Sequence, residues 1–284
     1  MIKLGLIGFP LSHSLSPKIQ AAALQDCGLE GIYSLYPVHP DEPQGVSDLL
    51  ARVRSGEIHG LNVTIPHKQN VIPFLDRLTP TGCAIGAVNT IYLHNNQLVG
   101  DNTDAPGFFA DLKKLLTTDP DRDAKTEGKG ELNALVLGAG GSSRAVVYAL
   151  VSAGWDVTIA ARRIEQSQEV ALQFGKAKAI EFDPQTFQHS NLQLIVNTTP
   201  VGMMPNIDQS PWPENLPFPT NAAIYDLVYN PPETKLVRDA RYQGLSATTG
   251  LGMLIEQAAL AFEIWTGYQP PREIMFEAVK QTVG

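Results

Sequence analysis

The first hundred residues alternate short apolar runs with stretches of helical spacing. The apolar runs predict strands at 3–9, 33–38 and 61–65, and the helical spacing predicts helices at 16–27, 43–54 and 67–75. Strands that alternate with helices are typical of a largely parallel α/β sheet. We therefore predict such a sheet for this part of the chain.

A second series of the same kind begins at Leu132. It predicts strands at 133–137, 156–161, 194–197 and 222–227, and helices at 142–153 and 164–174. A helix at 108–116 and a polar segment at 117–130 precede this series, and we interpret the polar segment as a flexible loop without a function.

The chain ends in two predicted helices, 252–266 and 272–283, with no strand after them. They have to pack on an existing domain, and the first domain is the natural place. We therefore predict an α/β fold of two domains. Residues 1–106 and 252–284 form a mostly parallel domain that the C-terminal helices complete, and residues 107–251 form a nucleotide-binding domain inserted into it.

Composition narrows the classes of function. The 284 residues carry a net charge of −8, which argues against a nucleic-acid partner because phosphate binding needs a basic surface. No apolar run approaches the roughly 18 residues of a membrane helix, and the first residues are too short for a secretory signal. Two cysteines without a framework favour free thiols in the cytoplasm, and no Cys/His spacing indicates a metal site.

The segment from Asn62 to Lys68 places polar side chains at the end of a predicted strand. Asn62 and Thr64 alternate with apolar residues, so both point to the face opposite the core. Lys68 falls in the first turn of the next helix, where the helix dipole disfavours a cation by roughly 0.3–1 kcal/mol. This arrangement predicts a binding or catalytic site, with a solvated surface lysine as the alternative.

A glycine-rich turn joins a predicted strand to a predicted helix at residues 138–145. Glycines allow a pyrophosphate to approach the backbone, and the N–H groups at a helix start supply donors. The strand–turn–helix context favours a dinucleotide site over a simple tight turn. Ser143 stands where the third glycine of this fingerprint is expected, so we expect a slightly larger distance between helix and strand.

The strand that follows ends at two arginines, Arg162 and Arg163. Proteins that bind NAD commonly have an acidic residue about 20 residues after the glycines, where it accepts a hydrogen bond from a ribose hydroxyl. A guanidinium pair suits a 2′-phosphate instead. The pair predicts NADP as the cofactor, with a solvated strand end as the alternative.

With both sites located, the chain resembles the shikimate dehydrogenase family over essentially its full length. The blocks that carry the resemblance are 10–17 (PLSHSLSP), 62–68 (NVTIPHK), 86–90 (GAVNT), 100–104 (GDNTD), the glycine turn, 197–203 (NTTPVGM), 226–231 (DLVYNP) and 250–257 (GLGMLIEQ). The resemblance implies an inserted Rossmann-type NADP-binding domain. It also implies reversible, NADPH-dependent reduction of 3-dehydroshikimate to shikimate in the chorismate pathway of aromatic amino acid biosynthesis.

The resemblance assigns roles by position. Lys68 and Asp104 are the expected catalytic pair. Expected substrate contacts come from Ser14, Ser16, Asn62, Thr64, Lys68, Asn89, Asp104, Tyr229 and Gln257. Expected cofactor contacts come from Gly138, Ala139, Gly140, Gly141, Ser142, Arg162, Arg163, Thr199, Leu227 and Gly250. The expected partner is therefore a small molecule, no metal is expected, and the oligomeric state stays open with a homodimer as one option.

Several of these residues have a simpler structural interpretation. Ser16, followed by Pro17, has the pattern of a helix N-cap, and Asp104 is placed to cap the helix after it. Asn89 could satisfy backbone groups in a turn, Gln257 could face solvent, and Tyr229 could close the edge of a core.

The cofactor region departs from the family pattern. Ala161-Arg162-Arg163 replaces the usual Asn-Arg-Thr, and Gln166 stands where a lysine is common, so Arg163 is expected to replace the missing groups. Two rivals follow. One is a quinate/shikimate dehydrogenase that uses NAD, and the other is a non-catalytic NADP-binding sensor, which would have no need for both Lys68 and Asp104.

Overall fold

The structure is a computed structural model that describes residues 1–117, 132–183 and 191–280. The predicted loop at 117–130 lies outside the described residues apart from Thr117, which ends a helix. Contacts group the chain into two compact units. Among the described residues, the first unit contains Met1–Gly107 and Ile255–Lys280, and the second unit contains the described part of Phe108–Leu254.

Mixed pairing characterises the sheet of the first unit. Its strands are β1 (Ile2–Gly8), β2 (Gly31–Pro37), β3 (Gly60–Val63), β4 (Arg77–Leu78), β5 (Thr90–His94) and β6 (Gln97–Asp101). They lie in the order β2-β1-β3-β5-β6-β4, in which β1 is parallel to β2 and β3, whereas β5 is antiparallel to β3 and β6. β2, the next strand along the chain, lies on one side of β1, and β3 lies on the other side. Ligands of open α/β sheets bind at such switch points, beyond the carboxyl ends of the strands.

Helices of the first unit follow the strands. They are α1 (Ser16–Asp26), α2 (Pro43–Arg54), α3 (His67–Asn70) and α4 (Pro80–Ile85). The predicted helix 67–75 is shorter than expected. It ends at Asn70, and a 3₁₀ turn at Ile72–Phe74 contains Pro73, which cannot donate a helical hydrogen bond.

The C-terminal helices pack on the first sheet. Trp265 belongs to a helix at Leu251–Thr266, donates from Nε1 to the carbonyl of Ile91 at 3.2 Å, and covers Gly60 so closely that no Cβ would fit there. The last helix, Arg272–Lys280, packs on α1. These contacts explain why the C-terminal helices need no strand of their own.

All described strands of the second unit are parallel. They are β7 (Asn133–Leu137), β8 (Asp156–Ala161), β9 (Ala177–Glu181), β10 (Leu194–Asn197), β11 (Ala223–Asp226) and β12 (Ala247–Thr249), in the order β12-β11-β10-β7-β8-β9. Counted from β7, this is the 3-2-1-4-5-6 order of a dinucleotide-binding sheet, with its switch point between β7 and β10. The predicted fold class is confirmed.

The described helices of the second unit flank this sheet. We number the remaining helices α5 (Asp104–Thr117), α6 (Gly141–Ser152), α7 (Ile164–Phe174), α8 (Lys235–Tyr242), α9 (Leu251–Thr266) and α10 (Arg272–Lys280). Both unit boundaries fall inside helices, one in α5 and the other in α9. The assignment of residues 1–106 with 252–284 and of 107–251 to domains with separate ligands stays a prediction.

Candidate active site

Lys68 and Asp104 form an ion pair in the first unit. The Lys68 Nζ atom lies 2.6 Å from Asp104 Oδ2, and the side chains are 13% and 6% exposed. Lys68 lies on α3, just beyond the carboxyl end of β3, and Asp104 begins α5. The alternative of a solvated surface lysine is therefore wrong.

Asn89 connects this pair to the neighbouring polar residues. Its Nδ2 group donates to Asp104 Oδ1 at 2.8 Å, to Thr103 Oγ1 at 2.9 Å and to Gln257 Oε1 at 3.2 Å. Its Oδ1 atom accepts from the Thr103 backbone N–H at 2.7 Å. Asn89 and Gln257 are both buried, so the alternative of a solvent-facing Gln257 is wrong.

Asn62 lies on β3, and its side chain contacts Asn89. Its Nδ2 group donates to the Asn89 carbonyl at 3.1 Å and to Thr90 Oγ1 at 3.3 Å. Its Oδ1 atom accepts from the hydroxyl of Tyr33 at 2.8 Å. The structure thus brings Asn62, Asn89, Asp104, Lys68 and the C-terminal Gln257 into one hydrogen-bonded cluster.

The two predicted serines lie at the beginning of α1, after the carboxyl end of β1. Ser16 does not cap this helix. The N-cap position is Leu15, and no side chain caps it, so that expectation is wrong. Ser14 Oγ instead accepts from the Ser16 backbone N–H at 3.3 Å.

Asp104 is also not a helix cap, because its carboxylate is directed at Lys68 and Asn89. Asn102 takes the capping role, since its Oδ1 atom accepts from the Ala105 N–H at 3.2 Å. The helix predicted at 108–116 therefore begins earlier, at Asp104, with Pro106 tolerated in the first turn.

Thr64 follows β3, and its backbone N–H donates to the Ile7 carbonyl at 2.8 Å. Its methyl group lies against Gly8, which leaves no room for a Cβ at that position. Thr64 is thereby held at the switch point between β1 and β3. Its expected contact with substrate stays a prediction.

The sequence prediction missed three residues of this cluster. Tyr33 lies on β2, Thr90 is fully buried at the start of β5, and Thr103 donates and accepts next to Asn89. Thr103 stood inside a block already used for the family resemblance. Tyr33 gave no signal in the sequence, because its reach to Asn62 depends on the strand order.

In the second unit, the glycine turn follows β7 at the switch point. Gly138 has φ of +107°, and a Cβ there would lie 2.7 Å from Thr198 Oγ1. Both the backbone angle and the close contact require glycine. Its N–H donates to the Ala160 carbonyl at 2.9 Å, which connects the turn to β8.

The beginning of α6 has the shape that a pyrophosphate needs. Gly140 is the N-cap and has no side chain, and a Cβ there would meet no atom within 4 Å, so the space in front of the helix start is open. Ala139, Gly141 and Ser142 flank it. Buried Ser143 donates to the Gly138 carbonyl at 2.8 Å, so the residue at the third glycine position bonds directly to the turn.

Arg162 and Arg163 are exposed directly after β8. The carbonyl of Ala160 accepts from the glycine turn, and the two arginines stand two and three residues after Ala160. Arg163 is the N-cap of α7, and Glu165 lies in the first turn of that helix. Two guanidinium groups are thus available at the strand next to the glycine turn, which fits a 2′-phosphate.

The remaining predicted cofactor residues follow β10, β11 and β12. Thr199 donates from Oγ1 to Asn197 Oδ1 at 2.7 Å. Gly250 packs against the Leu227 carbonyl with no room for a Cβ. Tyr229 lies in the second unit, where burial raises the pKa of its phenol. Its expected contact with substrate stays a prediction.

A buried carboxylate holds the ends of β10 and β11 together. Asp226 accepts from Asn197 Nδ2 at 2.8 Å, from Thr234 Oγ1 at 2.6 Å and from the Val228 N–H at 3.1 Å. Burial raises the pKa of Asp226 to about 6, although these three hydrogen bonds oppose the rise. The network fixes the chain on both sides of the predicted cofactor residues Thr199 and Leu227.

Neither a metal-binding cluster nor a membrane-spanning helix occurs in the part of the chain that the structure describes. Within residues 1–117, 132–183 and 191–280, no group of three or more His, Cys, Asp or Glu side chains is arranged to hold a metal ion. In the same ranges, no helix is both long and apolar enough to cross a membrane.

Comparisons with known proteins agree with this geometry. Residues 6–91 match the shikimate dehydrogenase substrate binding domain, and residues 250–280 match the shikimate 5'-dehydrogenase C-terminal domain. The shikimate dehydrogenase (NADP(+)) of Carboxydothermus hydrogenoformans is 39% identical over 97% of this chain and 95% of its own length. The chain belongs to the shikimate dehydrogenase family.

Solved structures of the family agree with the fold. The shikimate 5-dehydrogenase of Thermus thermophilus, in complex with NADP(H) and shikimate, has a TM-score of 0.83 and 37% identity over 99% of both chains. A quinate dehydrogenase of Corynebacterium glutamicum, in complex with NAD, has a TM-score of 0.85 at 28% identity over 99% of both chains. Similarity of fold therefore does not by itself distinguish the two cofactors or the two substrates.

Proposed function

We propose that this protein is an NADP-dependent shikimate dehydrogenase, an oxidoreductase that interconverts 3-dehydroshikimate and shikimate in chorismate biosynthesis. The observation that carries the proposal is the Lys68–Asp104 ion pair at the switch point of the first sheet, held by Asn89, which in turn bonds Gln257. A relative at 39% identity named as an NADP(+) enzyme supports the same activity.

NADP(H), which the glycine turn at 138–142 would hold, would supply the hydride chemistry that interconverts the alcohol and the ketone. The protein has to move one proton and stabilise charge on the substrate oxygen. In the reductive direction, the Lys68 ammonium donates its proton to that oxygen as negative charge develops there. In the oxidative direction, the neutral Lys68 amine removes the hydroxyl proton.

Asp104 keeps the lysine in place, and its carboxylate can still accept a hydrogen bond from a substrate hydroxyl. Its Oδ2 atom bonds Lys68, while its Oδ1 atom accepts from Asn89. A carboxylate oxygen has lone pairs for a further donor. A polyhydroxylated ring acid needs further hydroxyl and amide groups. These come from Ser14, Ser16, Thr64, Asn62 and Gln257.

The glycine turn and the helix start of α6 would hold the pyrophosphate, and Arg162 with Arg163 would hold the 2′-phosphate. The test is the absorbance at 340 nm of purified protein mixed with shikimate and either NADP or NAD, with quinate as the alternative substrate. We expect rapid NADPH formation from shikimate. Preference for NAD or quinate would favour the quinate/shikimate dehydrogenase that uses NAD. Absence of turnover by folded protein that binds NADP would favour the non-catalytic sensor.

We also propose a cytoplasmic location, supported by the free thiols of Cys27 and Cys83. Cell fractionation tests this location. We also propose a homodimer, which light scattering of the purified protein tests.

A further inference from the structure

Tyr33 reaches the candidate substrate site from the edge of the first sheet. It lies on β2, whereas its hydrogen-bond partner Asn62 lies on β3, and β1 separates these two strands. The phenol therefore crosses one strand to donate to Asn62 Oδ1 at 2.8 Å. Burial raises the pKa of Tyr33, and a hydrogen bond with the Ser16 side chain opposes that rise.

The bond from Tyr33 decides which way the Asn62 amide points. The two ends of an amide differ, since the oxygen accepts and the nitrogen donates. With its oxygen facing the phenol, Asn62 directs Nδ2 at the Asn89 carbonyl at 3.1 Å and at Thr90 Oγ1 at 3.3 Å. Without the phenol, the buried Oδ1 atom would lose its donor, and this orientation of the amide would no longer be favoured.

A continuous series of hydrogen bonds leads from this amide to the catalytic pair. The backbone of Asn89 accepts from Asn62, and the Asn89 side chain donates to Asp104 at 2.8 Å. Asp104 then bonds Lys68 at 2.6 Å. Tyr33 thus lies at the far end of a series that ends at the reacting groups.

We propose that Tyr33 is a positioning residue of the substrate site, whose hydroxyl sets the orientation of the Asn62 amide before substrate binds. This inference rests on the proposed function. Its effect should appear in substrate binding, because the phenol orders groups that contact substrate and no group of the glycine turn.

The test is Tyr33→Phe, with Tyr36→Phe as the matched control. Tyr36 lies on the same strand, and its ring packs over Gly5 with the Arg52 guanidinium 5.3 Å from its centre, so its hydroxyl is outside the cluster. For Tyr33→Phe we expect about a tenfold rise in the KM for shikimate, less than about a threefold fall in kcat, and an unchanged KM for NADP. The control should resemble the wild type.

A double-mutant cycle distinguishes positioning from a general loss of structure. If Tyr33 acts through Asn62, Tyr33→Phe should raise the KM less than about twofold in an Asn62→Ala background. If that background does not fold, Asn62→Ser replaces it. Full additivity, an unchanged KM for shikimate, or equal rises in both KM values would overturn the inference. Wild-type protein that does not turn over shikimate would instead overturn the proposed function.

Discussion

In the first unit the candidate ligand groups are side chains bonded to one another, whereas in the second unit they are a glycine turn and two exposed arginines. The Asn89 side chain bonds four other side chains of its site, so the groups of this cluster support one another. In the second unit, shape comes from the backbone at Gly138 and charge comes from Arg162 and Arg163. The effect of one substitution in the first unit should therefore extend to the other residues of the cluster. In the second unit, one substitution should change the shape of the site and another its charge.

Removal of the central cation should have the largest effect. We expect Lys68→Ala to lower kcat by at least about 100-fold, because proton transfer contributes roughly 10²–10⁴-fold in enzymes of this kind. The rate of NADPH formation from shikimate checks this, with Lys18→Ala, a lysine on α1 outside the cluster, as the control. Near-normal turnover would remove Lys68 from the mechanism and contradict the account of the first unit.

A test of backbone shape comes next. Gly138→Ala should raise the KM for NADP at least about tenfold, because the new Cβ meets Thr198 and the residue has a φ of +107°. Steady-state kinetics check this value, and thermal unfolding shows how much of the loss reflects instability. Gly140→Ala is the comparison, since a Cβ there is free of protein contacts and would interfere only with a bound phosphate. A normal KM for Gly138→Ala would show that the turn does not hold the cofactor.

Charge in the second unit can be removed without changing its shape. Arg162→Ala should raise the KM for NADP about tenfold and leave those for shikimate and NAD nearly unchanged, because only NADP carries the 2′-phosphate. Arg238→Ala removes another exposed arginine of the same unit and serves as the control. Equal rises for NADP and shikimate would contradict the role of a phosphate clamp.

The smallest expected effect concerns the buried Asp226. Because its pKa is raised to about 6 in the folded protein, the folded state binds a proton more tightly than the unfolded state between about pH 4 and 6. Stability from this group is therefore present at low pH and is lost as the pH rises through about 6. Between about pH 4.5 and 7.5 the loss amounts to about 2 kcal/mol.

Denaturant unfolding of the wild type and of Asp226→Asn, at about pH 4.5 and about pH 7.5, measures this contribution to stability. The stability advantage of the wild type over the variant should be smaller at the higher pH than at the lower one. The same difference at both values would show that Asp226 does not titrate in this range.

The two units also differ in how much of their structure could be predicted from sequence. Strands of the second unit are buried on both faces, so they appear as continuous apolar runs, and the predicted bounds 133–137, 156–161 and 194–197 agree with the structure. The short strands β9 and β12 and the helix Lys235–Tyr242 were missed, since none of them contains an apolar run longer than two residues.

The first unit contains an antiparallel hairpin that was not predicted. Strands β5 and β6 are joined at Asn95 and Asn96, which have φ of 49° and 59°, as a two-residue hairpin turn requires. The sequence signal was this asparagine pair between two short half-buried strands. Asn89 precedes this hairpin and Asp104 follows it, so the prediction found residues of the site without the element that brings them together.

The side-chain cluster shows a second limit. Motifs identified Lys68, Asn89, Asp104 and Gln257, because these residues stand in recognisable blocks. Their mutual bonds follow from strand order and register, which no local pattern encodes. The same holds for Tyr33, whose contact with Asn62 exists only because β1 lies between their strands.

The most direct test of this division between the units is a titration of NADPH fluorescence with wild type, Lys68→Ala and Arg162→Ala under identical conditions. The account predicts the same Kd for NADPH in the wild type and in the catalytically impaired Lys68→Ala, and a Kd about tenfold higher for Arg162→Ala. A Kd that rises as much in Lys68→Ala as in Arg162→Ala would contradict it, because the lysine would then serve cofactor binding.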